Sequence, residues 1–510
     1  MKQLNKLAAV LLAVVMTLAM NMTVFAEGEP SANTSGTYKL TLTGTATGHT
    51  YEAYQIFKGD LTTNTEGKTV LSNVKWGEGV TYKGTEAVAD VAKALGNGTM
   101  TIEALVKNLT LTTPVKTVEK SSKGSTVIDG LEAGYYLVKD KDGTQKDTSD
   151  AYTKFIVQVV GDTEVAVKSD VPKVTKKVQD TNDSDSTGKT SDWQDSADYD
   201  IGDEVPFQIT GTMPSTIADY TTYKYVFTDK MSKGLTYTAK QATITVGDKA
   251  VTVGDKNDTG KDFTETVTAN DDGTTTVTWA CTDLQAVAKA YGITLDKNTK
   301  VVVTYNATLN EHAVIGAAGN PNTVNLTYSN NPNNGGEGET GKTPDDKNIV
   351  FTYKVVVNKV DQDKKSLKGA AFKLEKKLSD GTYKEVQSFT AGEETTFEFK
   401  GLDDGVYKLT ETTTPNGYNT IDPVEFTISA EHDTESVEPK LTKLSVDETS
   451  DEAEFTVDTN TGSLTTDIVN KKGSTLPSTG GAGTRMFYVF GGCLVAAAVV
   501  LLALKKRKEA

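Results

Sequence analysis

The sequence predicts an all-β protein built as a series of sandwiches. Thr and Val are abundant and Gly is frequent, with 44 glycines in 510 residues, a composition suited to pleated strands and tight turns. Helical periodicity is scarce and confined to 85–95, 100–109 and 284–291. Stretches that alternate apolar and polar residues recur along the chain, separated by turn signals, which is the pattern of several β-domains rather than one.

The elements follow in order. In the first segment Tyr38-Lys39-Leu40-Thr41-Leu42 alternates, and 51–57 (YEAYQIF) reads as a strand. A small helical patch comes next, and 135–138 and 155–160 close the segment as strands. The second segment runs from near Pro172 to near Asn330. The stretch 329–347 (SNNPNNGGEGETGKTPDDK) is polar and rich in Gly, Asn and Asp, which reads as a loop or linker. The third segment begins with a strand at 351–357 and a hairpin in which Phe372-Lys373-Leu374 turns through Gly381 to Tyr383. An internal echo joins the first and third segments: Gly130-Leu131-Glu132-Ala133-Gly134-Tyr135-Tyr136 matches Gly401-Leu402-Asp403-Asp404-Gly405-Val406-Tyr407. Both read as a turn feeding a strand.

The two ends carry export signals. Lys2 and Lys6 precede an apolar stretch at 7–20, and Val24-Phe25-Ala26 places small residues at −3 and −1, so 1–26 reads as a signal peptide cut after Ala26. At the other end Leu476-Pro477-Ser478-Thr479-Gly480 is followed by the apolar run 486–504 and then Lys505-Lys506-Arg507-Lys508. Pro477 holds a short segment extended, as a protease cleft requires. The 19-residue run is long enough to cross a bilayer core of about 30 Å. The basic tail holds that end in the cytoplasm.

Charge and cysteine content exclude several functions. Trimming both ends removes seven of 53 basic residues and one of 69 acidic ones, which moves the formal charge from −16 to −22. Such a surface does not attract nucleic acid. Of the two cysteines only Cys281 stays in the trimmed chain, since Cys493 lies in the apolar run. An intrachain disulfide is therefore impossible, and an exported protein of this kind needs another staple. His49, His312 and His432 show no zinc or triad spacing. The stretch 180–200 holds seven Asp but lacks the Gly and terminal Glu of an EF-hand loop, so it reads as a solvated acidic loop. No GxSxG, HExxH or spaced carboxylate pair suggests a hydrolase. The expectation is no metal, no cofactor and no enzyme.

Three resemblances give these features a function. The C-terminal order resembles the LPxTG cell-wall sorting signal of Gram-positive surface proteins, which implies that sortase cuts between Thr479 and Gly480. Tyr407-Lys408-Leu409-Thr410-Glu411-Thr412-Thr413-Thr414-Pro415-Asn416-Gly417-Tyr418 resembles the pilin E-box, with Thr414 where the pattern has Ala. Val355-Val356-Val357-Asn358-Lys359-Val360-Asp361 and Asp467-Ile468-Val469-Asn470 resemble the first and last strands of a collagen-adhesin B-type domain. In that family a lysine on the first strand bonds covalently to an asparagine on the last, and a glutamate between them is the catalyst. Carried over by motif, the trio is Lys359, Asn470 and Glu411.

The second segment resembles the fimbrial isopeptide-forming domain, through Pro172-Lys173-Val174-Thr175-Lys176-Lys177-Val178, Ile201-Gly202-Asp203-Glu204-Val205-Pro206-Phe207, the run 227–235 (FTDKMSKGL) and 322–330 (NTVNLTYSN). Strand alternation chooses among neighbours. Val174, Lys176 and Val178 share one face and Lys177 points away; Asn322 shares a face with Val324, Leu326 and Tyr328, which Asn325 does not. The implied trio is Lys176, Asp229 and Asn322. Both trios suit one chemistry. Burial strips a lysine of its charge and a carboxylic acid of its own. The neutral amine is then a nucleophile, and the acid polarises the carboxamide and carries protons to the departing ammonia. In the first segment Asp140 stands where the echo has Glu411, and no asparagine follows a closing strand, so no internal cross-link is expected there.

The resemblances imply tandem immunoglobulin-like sandwiches: an N-terminal β-rich domain over 27–170, an isopeptide-forming sandwich over 171–335, a linker over 336–348, a collagen-adhesin B-type sandwich over 349–472 and the sorting signal over 473–510. They imply the backbone subunit of a sortase-assembled pilus. Thr479 would be joined to a lysine of the next copy, with Lys168 and Lys173 equal candidates, the latter in Val171-Pro172-Lys173. Implied partners are sortase, other copies of the chain, accessory pilins, peptidoglycan and host surface ligands. The rival reading is a monomeric wall-anchored adhesin that binds host matrix.

Overall fold

The computed structural model describes residues 36–64, 67–144, 150–167, 170–185, 187, 189–448 and 452–473. The signal-peptide site Ala26, the candidate Lys168, the motif residues Leu476, Pro477, Ser478, Thr479 and Gly480, and the apolar run 486–504 lie outside them. Among the described residues no helix is long and apolar enough to cross a membrane.

In the first module the strands Tyr51–Thr63 and Gly134–Asp140 pair at the centre of a five-stranded sheet. Residues 51–57 and 134–138 are buried without alternation because both faces of the sheet are covered there. Tyr135 and Leu137 join a core beneath the helices Val88–Gly96 and Ile102–Lys107. Tyr136 and Val138 face the opposite way, into a second core shared with Leu40, Leu42 and Ile128 of a three-stranded sheet. The second helix falls inside the patch 100–109, and the first runs one residue past the patch 85–95. Thr101 caps the second by accepting from the Ala104 N–H.

The second module is a sandwich of a six-stranded and an eight-stranded sheet over one core. Val174–Val178, Glu204–Thr212 and Lys300–Leu309 lie side by side in the smaller sheet. Tyr225–Met231 lies between Thr275–Cys281 and Asn320–Ser329 in the larger one. Cys281 is buried, and burial pushes its thiol up to about 12, so it packs as a small apolar group.

The third module packs a four-stranded sheet on a five-stranded one. Its first strand, Tyr353–Asp361, runs parallel to its last, Ser463–Asn470, with Lys359 opposite Ile468. The hairpin expected around Gly381 is present as Ala371–Lys377 paired with Tyr383–Phe389.

Two expectations change. The stretch read as a linker supplies the strands Thr340–Lys342 and Asp346–Phe351, both paired with Asn320–Ser329 of the second module. Two of its asparagines hold the first module, while Asn334, Glu337, Lys342 and Asp345 stay exposed. Asn330 donates from Nδ2 to the Asp150 carbonyl at 3.2 Å, Asn333 to the Asp140 carbonyl at 3.1 Å, and the Tyr152 N–H reaches the Asn330 carbonyl at 2.8 Å. The strand expected at 351–357 is also two strands: Phe351 closes the second module's sheet and Tyr353 opens the third module's.

The acidic stretch is the second correction. Part of it packs on the third module, while Lys189, Thr190 and Asp192 stay exposed. Asp195 accepts from the Ser436 N–H at 2.8 Å, Ser184 donates to the Lys377 carbonyl at 2.6 Å, and Asn182 donates to Asp404 at 2.7 Å. The buried Lys376 ammonium sits between Asp200 at 2.7 Å and Asp403 at 3.0 Å, one acid from each module.

Candidate cross-linking sites

In the second module the smaller sheet supplies the amine, and the larger sheet supplies the acid and the amide. Lys176 lies on Val174–Val178 with its side chain turned into the core, as alternation requires, while Lys177 turns out to Asp195 at 2.8 Å. Lys176 Nζ is 2.9 Å from Asp229 Oδ1 and 2.8 Å from Oδ2, and all of Lys176, Asp229 and Asn322 are fully buried. The rings of Phe207 and Tyr305 lie 5.2 and 5.1 Å from the ammonium. Burial lowers the Lys176 pKa against the pull of Asp229, and burial raises that of Asp229 against the pull of Lys176 and of the Tyr305 hydroxyl. Both groups are driven toward their neutral forms. Asn322 donates from Nδ2 to the Tyr305 hydroxyl at 2.9 Å, and its carbonyl oxygen has no hydrogen-bond partner.

Tyr305 was not among the residues read from the sequence. Its strand carries Val301, Val303, Tyr305, Ala307 and Leu309 on the buried face. A hydroxyl on that aliphatic face needs a buried partner, and this was the available signal.

In the third module the amine and amide share a sheet and the acid comes from the facing one. Lys359 and Asn470 sit on neighbouring parallel strands, two register steps apart and on one face. Lys359 is fully buried; its Nζ donates to the Ile468 carbonyl at 2.8 Å and is 4.0 Å from Glu411 Oε1. Burial lowers its pKa to about 8. Asn470 donates to Glu411 Oε2 at 3.0 Å and to the Asn419 carbonyl at 2.6 Å. Thr414, the departure from the E-box, donates to the same Glu411 oxygen at 3.3 Å. The Asn470 carbonyl oxygen and Glu411 Oε1 lack partners. Each site thus leaves an amide oxygen, the atom that gains charge during attack on the amide carbon, without a donor.

The echo has structural content. Tyr136 donates to the Glu132 carbonyl at 2.8 Å, and Tyr407, its counterpart, donates to the Asp403 carbonyl at 3.0 Å. Gly130 and Gly401 both take left-handed φ, +74° and +76°. Asp140 occupies the buried position of Glu411, but its partners are His49 Nδ1 at 2.8 Å and the Thr153 N–H at 2.6 Å.

Lys173 is exposed at the start of its strand. Its backbone N–H is held by the Thr212 hydroxyl at 2.9 Å, and Asp170 nearby binds Ser215 through N–H and Oγ at 2.7 and 2.6 Å.

The histidines, which showed no zinc or triad spacing in the sequence, are not equivalent in the structure. His432 reaches Asp180 at 3.5 Å and Asp198 at 3.4 Å through Nε2, and its Nδ1 meets the Ser196 hydroxyl at 2.8 Å. That hydroxyl gives its proton to the Asp433 carbonyl, so Nδ1 is a donor. Burial would lower the imidazole pKa, but the two acids overcome it and lift it to about 10. An imidazolium does not ligate a metal at neutral pH.

Comparison with known proteins places the chain. Residues 201–332 match the Gram-positive pilin backbone subunit 2, Cna-B-like domain. Residues 353–443 match the SpaA prealbumin-like fold domain, and 468–510 match the LPXTG cell wall anchor motif. The trypsin-resistant surface T6 protein of Streptococcus pyogenes serotype M6 is 24% identical, over 92% of this chain and 95% of its own length. Among solved structures, the T6 backbone pilin of the same serotype is similar with a TM-score of 0.53 at 18% identity, covering 87% of this chain and all of that one. The major pilin SpaD of Corynebacterium diphtheriae aligns over 86% of this chain and 98% of its own, with 19% identity and a TM-score of 0.46. Two pilin modules in series with a wall anchor behind them are the plan of an LPXTG-anchored pilus backbone subunit, a structural protein of the cell surface rather than an enzyme.

Proposed function

We propose that this chain is polymerised head to tail by sortase and is stapled internally by two self-formed amide bonds, Lys176–Asn322 and Lys359–Asn470. The observation that carries the second part is the enclosure, in each module, of a lysine whose pKa burial lowers, beside an acid and an asparagine with an unpartnered carbonyl oxygen. Neutral Nζ attacks Cγ of the asparagine, the C–Nδ2 bond breaks, and ammonia leaves. Asp229 and Glu411 carry the protons. No cofactor takes part.

Anchoring follows the sorting signal. The run 486–504 holds the chain in the membrane while sortase cuts between Thr479 and Gly480, and the acyl group passes to an amine. For the polymer that amine is Lys168 or Lys173 of the next copy; for the wall it is peptidoglycan. Accessory pilins and host ligands are further partners by the same reading. The strand pairings support a first module that ends near 170, a second over 171–351 that extends past the expected linker, and a third over 352–472.

Intact-mass measurement of recombinant 27–472 tests the staples. Two bonds remove two ammonia molecules, roughly 34 Da, with no helper protein. An unchanged mass removes the self-linking chemistry and leaves a wall-anchored pilin held by packing alone.

A further inference from the structure

The Tyr305 hydroxyl touches every reacting partner of the second-module site. It donates to Asp229 Oδ2, and it accepts from Lys176 Nζ at 2.7 Å and from Asn322 Nδ2 at 2.9 Å. One proton and two lone pairs are all that a phenol has, so the group is fully used. Its ring is fixed by Phe207 at 5.4 Å, Trp279 at 5.3 Å and Tyr237 at 5.5 Å. Tyr237 and Trp279 are themselves tied to the buried Glu265 at 2.6 and 3.0 Å. The hydroxyl therefore cannot swing away. The third module has no counterpart: there Glu411 contacts the Asn470 amide directly, at 3.0 Å.

We propose that Tyr305 is a catalytic residue of the second-module cross-link, relaying a proton from Asp229 to the departing nitrogen of Asn322. This rests on the self-linking reading above. Asp229 contacts Lys176 and Tyr305, while the nitrogen that must leave as ammonia contacts Tyr305. The protons balance as follows. Asp229 takes one proton from the Lys176 ammonium. The neutral amine attacks Asn322 Cγ, and the carbonyl pair moves to Oδ1. Tyr305 gives its proton to Nδ2 and is refilled by Asp229, which collects the second proton of the attacking nitrogen. The C–Nδ2 bond breaks as the Oδ1 pair returns. The products are a secondary amide, ammonia, protonated Asp229 and an intact phenol. Burial holds the Tyr305 pKa well above its ordinary value, which keeps the phenol protonated and available as a donor when the bond forms.

The test is Tyr305→Phe in chain 27–472, followed by intact mass over time after pulsed synthesis and by peptide mapping of both cross-links. Tyr305→Phe keeps the ring packing. The expected result is a Lys176–Asn322 bond that forms about 10²-fold more slowly, with the Lys359–Asn470 bond forming at the wild-type rate as an internal control of folding and handling. Equal rates at both sites in the variant and the wild type overturn the relay. A wild-type chain lacking the Lys176–Asn322 link overturns the underlying reading instead, so the two failures are distinct. If Tyr305→Phe destabilises the module, 3,5-difluorotyrosine at 305 retains the hydroxyl and makes it more acidic. The relay then requires an altered rate and a displaced pH profile for this bond alone, and an unmoved profile overturns it.

Discussion

Replacing Asp229 by Ala would leave the Lys176 amine enclosed without its paired carboxylate, since the ammonium contacts only Asp229 and Tyr305 among side-chain hydrogen-bond partners. Removing one member of a buried pair costs about 3–5 kcal/mol, and the variant also loses its proton carrier. Asp229→Ala is therefore expected to melt well below wild type and, by the retained ammonia, to lie about 17 Da above the mass its own sequence gives with both bonds formed. A variant mass that matches both bonds formed would mean that Asp229 is dispensable for the bond. The third-module lysine gives a pH test. In an Asn470→Ala chain Lys359 stays a free amine, with a folded pKa of about 8 below its unfolded value of 10.5. The unfolded state then binds more protons between those values, so stability should rise with pH from about 8 to 10.5. Denaturant titrations of this variant, set against an Asn470→Ala, Lys359→Met chain, isolate that slope; parallel curves would exclude it. The lysine and asparagine positions were legible because a strand has only two faces, so Lys176 could be separated from Lys177 by counting. Tyr305 was not, because its importance depends on which sheet faces Asp229, and no local spacing records that.

At the scale of elements, the same turn–strand unit appears in the first and third modules, down to the tyrosine that donates to a carbonyl four residues back. Gly401 adds a constraint of its own. Its φ is +76°, and a Cβ there would stand 2.3 Å from Ile201 Cδ1 of the second module. Gly401→Ala is thus opposed both by backbone conformation and by a contact across the joint, and a loss of at least about 1 kcal/mol is expected; an unchanged melting temperature would show that the joint yields freely. The joint was misread in the sequence for a physical reason. Polar stretches such as 180–200 and 329–347 look solvated unless the surface that receives them is known, and here neighbouring modules supply it. His432 makes this measurable. Its folded pKa of about 10 lies above the ordinary 6.5, so its stabilisation is complete below about pH 6.5 and is lost as pH rises toward 10. The gap in stability between wild type and His432→Gln should be widest near pH 6 and close above pH 10. A gap that does not narrow would mean that His432 acts by packing alone.

At the scale of the molecule, each proposed staple closes a long loop: 176 to 322 in one module and 359 to 470 in the next. By the chain-entropy estimate, closing a loop of about 100 residues removes about 4–5 kcal/mol of unfolded-state freedom, which the trimmed chain, with Cys281 as its one cysteine, cannot obtain from disulfides. In a filament joined head to tail the load runs through every subunit in series, so the weakest module sets the strength. Head-to-tail joining also needs an acceptor amine that stays accessible after the modules have packed. The segment around Lys173 fits: the side chain is exposed, while the backbone is pinned by Thr212 and Asp170 binds Ser215 beside it. A pinned acceptor presents its amine at lower entropic cost than a loose one. Incubating the chain, still carrying Leu476 to Gly480, with a pilus-type sortase should give a ladder of covalent multimers. The ladder should collapse to monomer in a Lys168→Ala, Lys173→Ala double variant, and the single variants identify which amine is used. Loss in Lys173→Ala alone would assign the acceptor to Lys173, and loss in Lys168→Ala alone to Lys168. A full ladder in the double variant would move the acceptor elsewhere on the chain, and a wild-type chain that gives no ladder while still being attached to peptidoglycan would favour the wall-anchored monomer.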